Sequence, residues 1–168
     1  MNSDLLTGSL LRTLAASKPG GACLELGTGC GLGTSWMLAG MDADATLVSV
    51  DTDPVAQAIA REELGADTRL AFVLDDGSAF LARAAGAFDL IYADAWPGKY
   101  SDLEHALALV KPGGVYLVDD MLPQPNWPDG HATKAAALAE RLLSLDRFHS
   151  TWLEWSTGLI ICVKQANP

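Results

Sequence analysis

Five short β-type runs, mostly apolar, lie at residues 22–26, 46–50, 70–74, 88–93 and 115–118, each separated from the next by a stretch of helical period. No other feature constrains the fold as strongly. Strands that are apolar on both faces must be covered on both faces, and a helix between successive strands supplies the crossover that parallel pairing requires. The spacing therefore predicts βαβ units and a buried parallel sheet. The tail breaks the rhythm. Residues 150–155 and 159–163 are strand-like but joined only by Ser156-Thr157-Gly158, too short for anything except an antiparallel hairpin. The expectation is an α/β fold, a doubly wound sheet of seven strands, mostly parallel, with one antiparallel strand near the C-terminus. Helices are expected over 34–39, 54–64 (Pro54 in its first turn), 77–85 and 133–145. Another is expected from Ser101 and Asp102 to Val110, ended by Lys111-Pro112-Gly113-Gly114.

The 168 residues suit a single domain, read as a short N-terminal helix in 1–20 (Leu5, Leu6, Leu10, Leu11 and Leu14 on one face) and a core over 21–165. Eleven Lys and Arg against 21 Asp and Glu give a net charge of −10. Nucleic acid and anionic membranes select basic surfaces, so neither is an expected partner. No apolar run is long enough to span a bilayer, and Asp4 precedes any positive charge, unlike a signal peptide. Cys23, Cys30 and Cys162 have no zinc spacing, and an odd number of thiols fits a reduced, cytoplasmic protein.

In an open α/β sheet the ligand lies beyond the carboxyl ends of the strands. Every one of the five runs delivers an acid to that edge: Glu25, Asp51, Asp75-Asp76, Asp94 and Asp119-Asp120. The first run also empties into Gly27-Thr28-Gly29-Cys30-Gly31-Leu32-Gly33, a loop suited to close backbone approach by a ligand. Its glycines fall at every second position, with Leu32 where a dinucleotide loop needs its last glycine. Glu25 would repel a diphosphate and attract a cation. Asp51, ending the second run, is placed to accept two ribose hydroxyls, and Asp76 to accept from an exocyclic amine. These residues describe a nucleoside with a cationic substituent and no phosphates.

The stretch Glu25-Leu26-Gly27-Thr28-Gly29-Cys30-Gly31 resembles the first motif of class I S-adenosylmethionine (SAM)-dependent methyltransferases. Val50-Asp51-Thr52-Asp53-Pro54 is similar to their second motif, and Lys111-Pro112-Gly113-Gly114 to the turn before their fifth strand. Within that class, residues 88–94 followed by Tyr100 resemble the catechol and caffeoyl-CoA type O-methyltransferases. The resemblance implies a Rossmann-like fold. It also implies SAM bound by Glu25, Gly27, Thr28, Gly29, Gly31, Asp51, Thr52, Asp76, Gly77, Ser78 and Asp94, and methyl transfer to a hydroxyl of a small-molecule acceptor. It further implies a divalent cation (Mg, Mn or Ca) on Asp94, Asp119 and Asp120, the last standing where the family has Asn. Capping of the loop is the other reading of the Asp119-Asp120 pair.

The family's base, a Lys three residues after the metal-binding Asp, is replaced by Pro97. Lys99 and His131 are the candidates for its role, beside Asp94. Trp96 and Trp127, with Pro123, Pro125 and Pro128, suggest a rigid apolar wall for the acceptor, whereas His105, His149, Trp36, Trp152 and Trp155 read as structural. About 20 residues precede the first strand, which implies an open crevice or one completed by a second copy in a homodimer. Three other functions keep a place. They are a metal-independent methyltransferase on another acceptor, a non-catalytic SAM- or nucleoside-binding module, and an NAD-dependent oxidoreductase, the last disfavoured by Glu25.

Overall fold

A computed structural model of the chain, which describes residues 4–166, contains a seven-stranded sheet in the order β3-β2-β1-β4-β5-β7-β6. The strands are β1 (Ala22–Leu26), β2 (Thr46–Asp51), β3 (Leu70–Leu74), β4 (Phe88–Ala93), β5 (Val110–Val118), β6 (Phe148–Leu153) and β7 (Leu159–Lys164). The helices are α1 (Leu5–Ala16), α2 (Leu32–Gly40), α3 (Pro54–Leu64), α4 (Gly77–Arg83), α5 (Leu103–Ala108) and α6 (His131–Leu143). Strands β1 to β5 pair in parallel, and β7 runs antiparallel to both β5 and β6, as the short turn at 156–158 requires. Because β2 lies on one side of β1 and β4 on the other, the strand order reverses at β1. A crevice opens at that reversal, beyond the carboxyl ends of β1 and β4.

Two apolar layers hold the sheet. One, on the α5 and α6 side, contains Leu24, Ile91, Tyr116, Val118, Leu138, Leu142 and Ile160. The other, against α1 and α2, contains Leu11, Met37, Leu47, Leu90, Tyr92, Leu117 and Leu159. A fully buried side chain of this kind contributes roughly 1.5–3 kcal/mol. Cys23 and Cys162 lie in these layers, where burial pushes their thiols up to about 12 and about 11. Among the described residues no helix is long and apolar enough to cross a membrane.

Several local expectations change. Helix α5 stops at Ala108, and Lys111-Pro112-Gly113-Gly114 lies inside β5 instead of ending the helix. Phe88 pairs with Val110 and Leu90 with Val115, so this segment is a bulge, with Gly113 at φ +75° and Lys111 Nζ 2.7 Å from Asp89 Oδ2. Asp102 precedes α5 in a left-handed conformation without a side-chain cap. The edge strand β3 leaves Ala71 and Leu74 exposed. On α1, Leu11 and Ala15 are buried, while Leu5 and Leu6 are exposed in the first turn. That turn is anchored by polar groups instead. Asp4 caps it through Leu6 N and Thr7 N, and Ser156 in the β6–β7 turn donates to Asp4 at 2.6 Å and lies 2.8 Å from Thr7 Oγ1.

Candidate active site

Two adjoining hollows open at the crevice. The first, about 460 Å³, is lined by the loop after β1, the ends of β2 and β4, and Asp76-Gly77 at the start of α4. The second, about 270 Å³, continues from Asp94, Ala95 and Trp96 to Lys99, Tyr100, Asp120, Trp127 and His131.

The first hollow is built on Glu25. Strand register sets it beside Ser49 of β2, and both are fully buried. Ser49 Oγ and Thr34 Oγ1 each donate to Glu25 Oε2 at 2.5 Å, while Oε1 is buried with no partner. Burial pushes the Glu25 carboxyl up from its ordinary 4.5 to about 7, against the hydrogen bonds from Ser49 and Thr34. A buried acceptor left open at the wall of a cleft is satisfied by a cationic donor, and an amino-acid ammonium group supplies one.

The glycine loop lies over this carboxylate. Gly27 has φ +103°, and a Cβ there would stand 2.7 Å from the Asp94 carbonyl oxygen, so only glycine lets the two loops meet. Gly31 serves packing: its Cβ would strike Ala60 of α3 at 2.8 Å, and Gly31 does not line the hollow. Asp51 Oδ2 accepts from Gly29 N at 2.7 Å and Oδ1 from Asp53 N at 2.8 Å. Both oxygens keep lone pairs for two neighbouring hydroxyls. Thr28, Thr52 and Gly77 line the hollow, and so does Asp76, which also accepts from Ala79 N at the start of α4. Ser78 does not line it, because the first turn of α4 aims its hydroxyl at Ser101, 3.5 Å away. Cys30 is exposed at the rim.

Asp94 joins the hollows. Its carboxyl is held well above the usual carboxylate range, first by burial, then by the charges of Asp119, Asp120 and Glu25, with Lys99 acting the other way. Asp119, also buried, is turned into the protein. Tyr92 Oη donates to its Oδ2 at 2.6 Å, and its Oδ1 takes the Thr157 hydroxyl and the Asp120 N–H. Asp120 sits in the left-handed region at φ +59°, lines the second hollow, and has its carboxyl raised mainly by burial.

Lys99 is 6% exposed, and its Nζ donates to the Asp119 carbonyl at 2.9 Å. A tight turn directs it inward. Gly98 has φ +87°, Tyr116 Oη donates to its carbonyl, and Tyr100 N donates to Trp96 O at 2.9 Å. His131, the first residue of α6, places Nε2 3.1 Å from Tyr100 Oη. Its ring packs within 4.5 Å of Trp127, 5.0 Å of Tyr100 and 5.9 Å of Trp96, centroid to centroid. The structure thus brings Asp94, Lys99 and His131 onto one hollow walled by Trp96 and Trp127.

The expected metal ligands do not assemble in the same way. Asp119 accepts from Tyr92, Thr157 and the Asp120 N–H, and the Lys99 charge acts on both Asp94 and Asp120. Among the described residues no three His, Cys, Asp or Glu side chains are grouped to hold a metal ion. A hard dication prefers several oxygen ligands, and this donor set does not fit one.

Sequence reasoning passed over Thr34, Ser49, Tyr92 and Thr157, which orient the acids, and gave Tyr100 no role at the site. Ser49 alone carries a visible signal, a lone polar residue inside the apolar run of β2.

Residues 24–121 match the family described as "Methyltransferase domain". A Mycobacteroides abscessus protein is 29% identical over 171 residues, covering 94% of this chain and 78% of its own length. A Klebsiella pneumoniae structure superposes with a TM-score of 0.84 at 25% identity, covering 98% of this chain and 82% of that one. Both carry the description "putative O-methyltransferase". An O-methyltransferase structure from Bacillus cereus in complex with SAH shares the fold, with a TM-score of 0.81 at 22% identity over 98% of this chain and 83% of that one. The family match spans more than half of the sequence and falls on the strands that carry Glu25, Asp51, Asp94 and Asp119: the chain belongs to the methyltransferase-domain family, as a class I SAM-dependent enzyme.

Proposed function

We propose that the enzyme transfers a methyl group from SAM to a hydroxyl oxygen of a small molecule. The unpartnered buried Oε1 of Glu25 carries this reading, because Glu25, Asp51, Asp76 and Asp94 line one cleft whose acidic groups favour a nucleoside with cationic substituents over a phosphorylated one. The SAH in the Bacillus cereus relative and the O-methyltransferase descriptions of the others support it. Glu25 would hold the ammonium group, Asp51 the ribose hydroxyls and Asp76 the adenine amine. Bound there, SAM supplies an electrophilic methyl group.

The chain's own residues do the rest. Trp96 and Trp127 confine a small acceptor and exclude water, so its hydroxyl meets the methyl carbon in line. Asp94, between the hollows, counters the sulfonium charge. As the oxygen–carbon bond forms and the carbon–sulfur bond breaks, the electron pair goes to sulfur, and the hydroxyl proton reaches His131 through Tyr100, whose Oη takes it as it gives its own proton to Nε2, 3.1 Å away. One positive charge is lost at sulfur and one gained at imidazole. Divalent assistance, implied by the resemblance to the catechol type, finds no fitting ligand set, and no step is routed through it. The composition favours a cytoplasmic enzyme that acts on neither nucleic acid nor membranes.

Calorimetry with SAM and NAD, followed by SAH release on a panel of small phenols and alcohols, tests the reading. Asp51→Ala is expected to weaken SAM binding about 100-fold, the loss of two charge-assisted hydrogen bonds, with the circular dichroism spectrum kept. Preference for NAD, or SAM affinity unchanged in Asp51→Ala, overturns it.

A further inference from the structure

We propose that the Lys99 ammonium is the built-in cation of the acceptor hollow, filling the role that a divalent ion would have and binding the acceptor oxygen directly. The proposal rests on the reading of the enzyme as an O-methyltransferase and concerns how it holds its acceptor.

A lysine buried to 6% exposure is costly unless its charge is answered. Lys99 lies in an acidic corner of a chain of net charge −10, and its charge acts on both Asp94 and Asp120. An ammonium has three N–H donors. The Asp119 carbonyl takes one at 2.9 Å, and among the described residues no other protein acceptor lies within hydrogen-bond distance of Nζ. The lysine also lines the acceptor hollow with Tyr100 and His131, its Nζ 5.8 Å from the centre of the Tyr100 ring. It is thus a fixed donor with unused capacity at a place where an oxygen must be gripped. The turn through Gly98 holds the geometry, with Tyr116 Oη bonded to the Gly98 carbonyl from the core side.

A metal at such a site would orient the acceptor oxygen and stabilise negative charge as its proton leaves. Lys99 can do both by donating to that oxygen. It keeps its own proton throughout: the oxygen–carbon bond forms, the carbon–sulfur bond breaks with its electron pair going to sulfur, and the hydroxyl proton goes to His131. Asp119 is engaged by Tyr92, Thr157 and the Asp120 N–H, and among the described residues no three carboxylates are grouped to hold a dication. Asp119 takes part in both arrangements, its carboxylate bound to Tyr92 and Thr157 and its backbone carbonyl to Lys99.

The test is calorimetry of the EDTA-treated enzyme, saturated with SAM, against MgCl2, MnCl2 and CaCl2. No ion is expected to bind up to millimolar concentration, and turnover on an acceptor is expected to stay within about twofold in EDTA. Lys99→Ala removes the cation and leaves Asp94 and Asp120 facing each other. It is expected to lose turnover about 100-fold at near-normal SAM affinity and to gain measurable divalent binding. Lys99→Arg, which keeps the charge, is expected to remain insensitive to all three ions. Ion binding to the wild type together with loss of turnover in EDTA overturns the proposal, and so does full turnover in Lys99→Ala. Should Lys99→Ala fail to fold, the wild-type titration decides alone. Failure of SAM itself to bind would instead strike the proposed function, and it is read in the same experiment.

Discussion

The donor hollow and the acceptor hollow share Asp94 but are built from different materials. On the donor side the contacts come from backbone and strand-borne acids: the glycine loop, Glu25 inside β1, and Asp51 at the last turn of β2. Their positions follow from sheet register, and a buried chain of hydroxyls locks them. On the acceptor side the contacts are side chains on loops and a helix start: Trp96, Lys99, Tyr100, Trp127 and His131. A site made of register tolerates little change, whereas one made of loops can be re-shaped for a new acceptor without moving the cofactor.

The sharpest way to break the division is His131→Gln. If the halves are separable, turnover falls about 10³-fold while SAM affinity measured by calorimetry stays within about twofold. A matching loss of SAM affinity would show that the halves are one unit. The next test works on the donor side through pH. The Glu25 carboxyl is raised from 4.5 to about 7 in the folded chain, so the folded state binds a proton more tightly than the unfolded state across that interval. Stability therefore declines as pH rises from about 4.5 to about 7, by roughly 3 kcal/mol from this group alone. SAM affinity should run the other way, rising with pH as Glu25 ionises. Glu25→Gln keeps an acceptor for Ser49 and Thr34, so it should stabilise the unliganded protein at pH 8 and weaken SAM about tenfold. Thermal melts and calorimetry over pH 5–8 check both, and a flat pH dependence in the wild type removes Glu25 from the ammonium site. The smallest expected effect belongs to Ser156→Ala, which loses its bonds to Asp4 and Thr7 and should cost about 1 kcal/mol in denaturant melts without changing SAM affinity.

These materials also explain what could be read from the chain beforehand. Strand-borne acids stand out because all five runs deliver one to the same edge, although a single Asp there can serve a turn or a cap, as Asp76 also does; the structure sets Glu25, Asp51 and Asp94 along the first hollow. The parallel run of the first five strands and the antiparallel tail were legible from crossover lengths and the short turn at 156–158, but the order of the strands in the sheet was not. Nor was loop conformation. Whether Asp119 faced the crevice or the interior depended on Tyr92 and Thr157, which lie 27 and 38 residues away in sequence. The same holds for Lys99: its spacing from Asp94 left the direction open, and only the Gly98 turn decides it. The resemblance implies cofactor roles for Ser78 and Gly31, and neither lines the first hollow: the Ser78 hydroxyl lies 3.5 Å from Ser101, and Gly31 packs against Ala60 of α3. Lys111-Pro112-Gly113-Gly114 reads as a helix stop by composition, whereas pairing with β4 absorbs it as a bulge.

The polar anchor of the first helix has a reach that its exposed position conceals. Ser156 clasps Asp4 and Thr7, and its neighbour Thr157 donates to Asp119, so the opening turn of the molecule and the catalytic corner are joined through two adjacent hydroxyls. Fraying at the front of the chain would loosen the carboxylate whose backbone carbonyl steadies Lys99, and a bulky fusion placed ahead of Asp4 would dull the enzyme from the far end of its sequence.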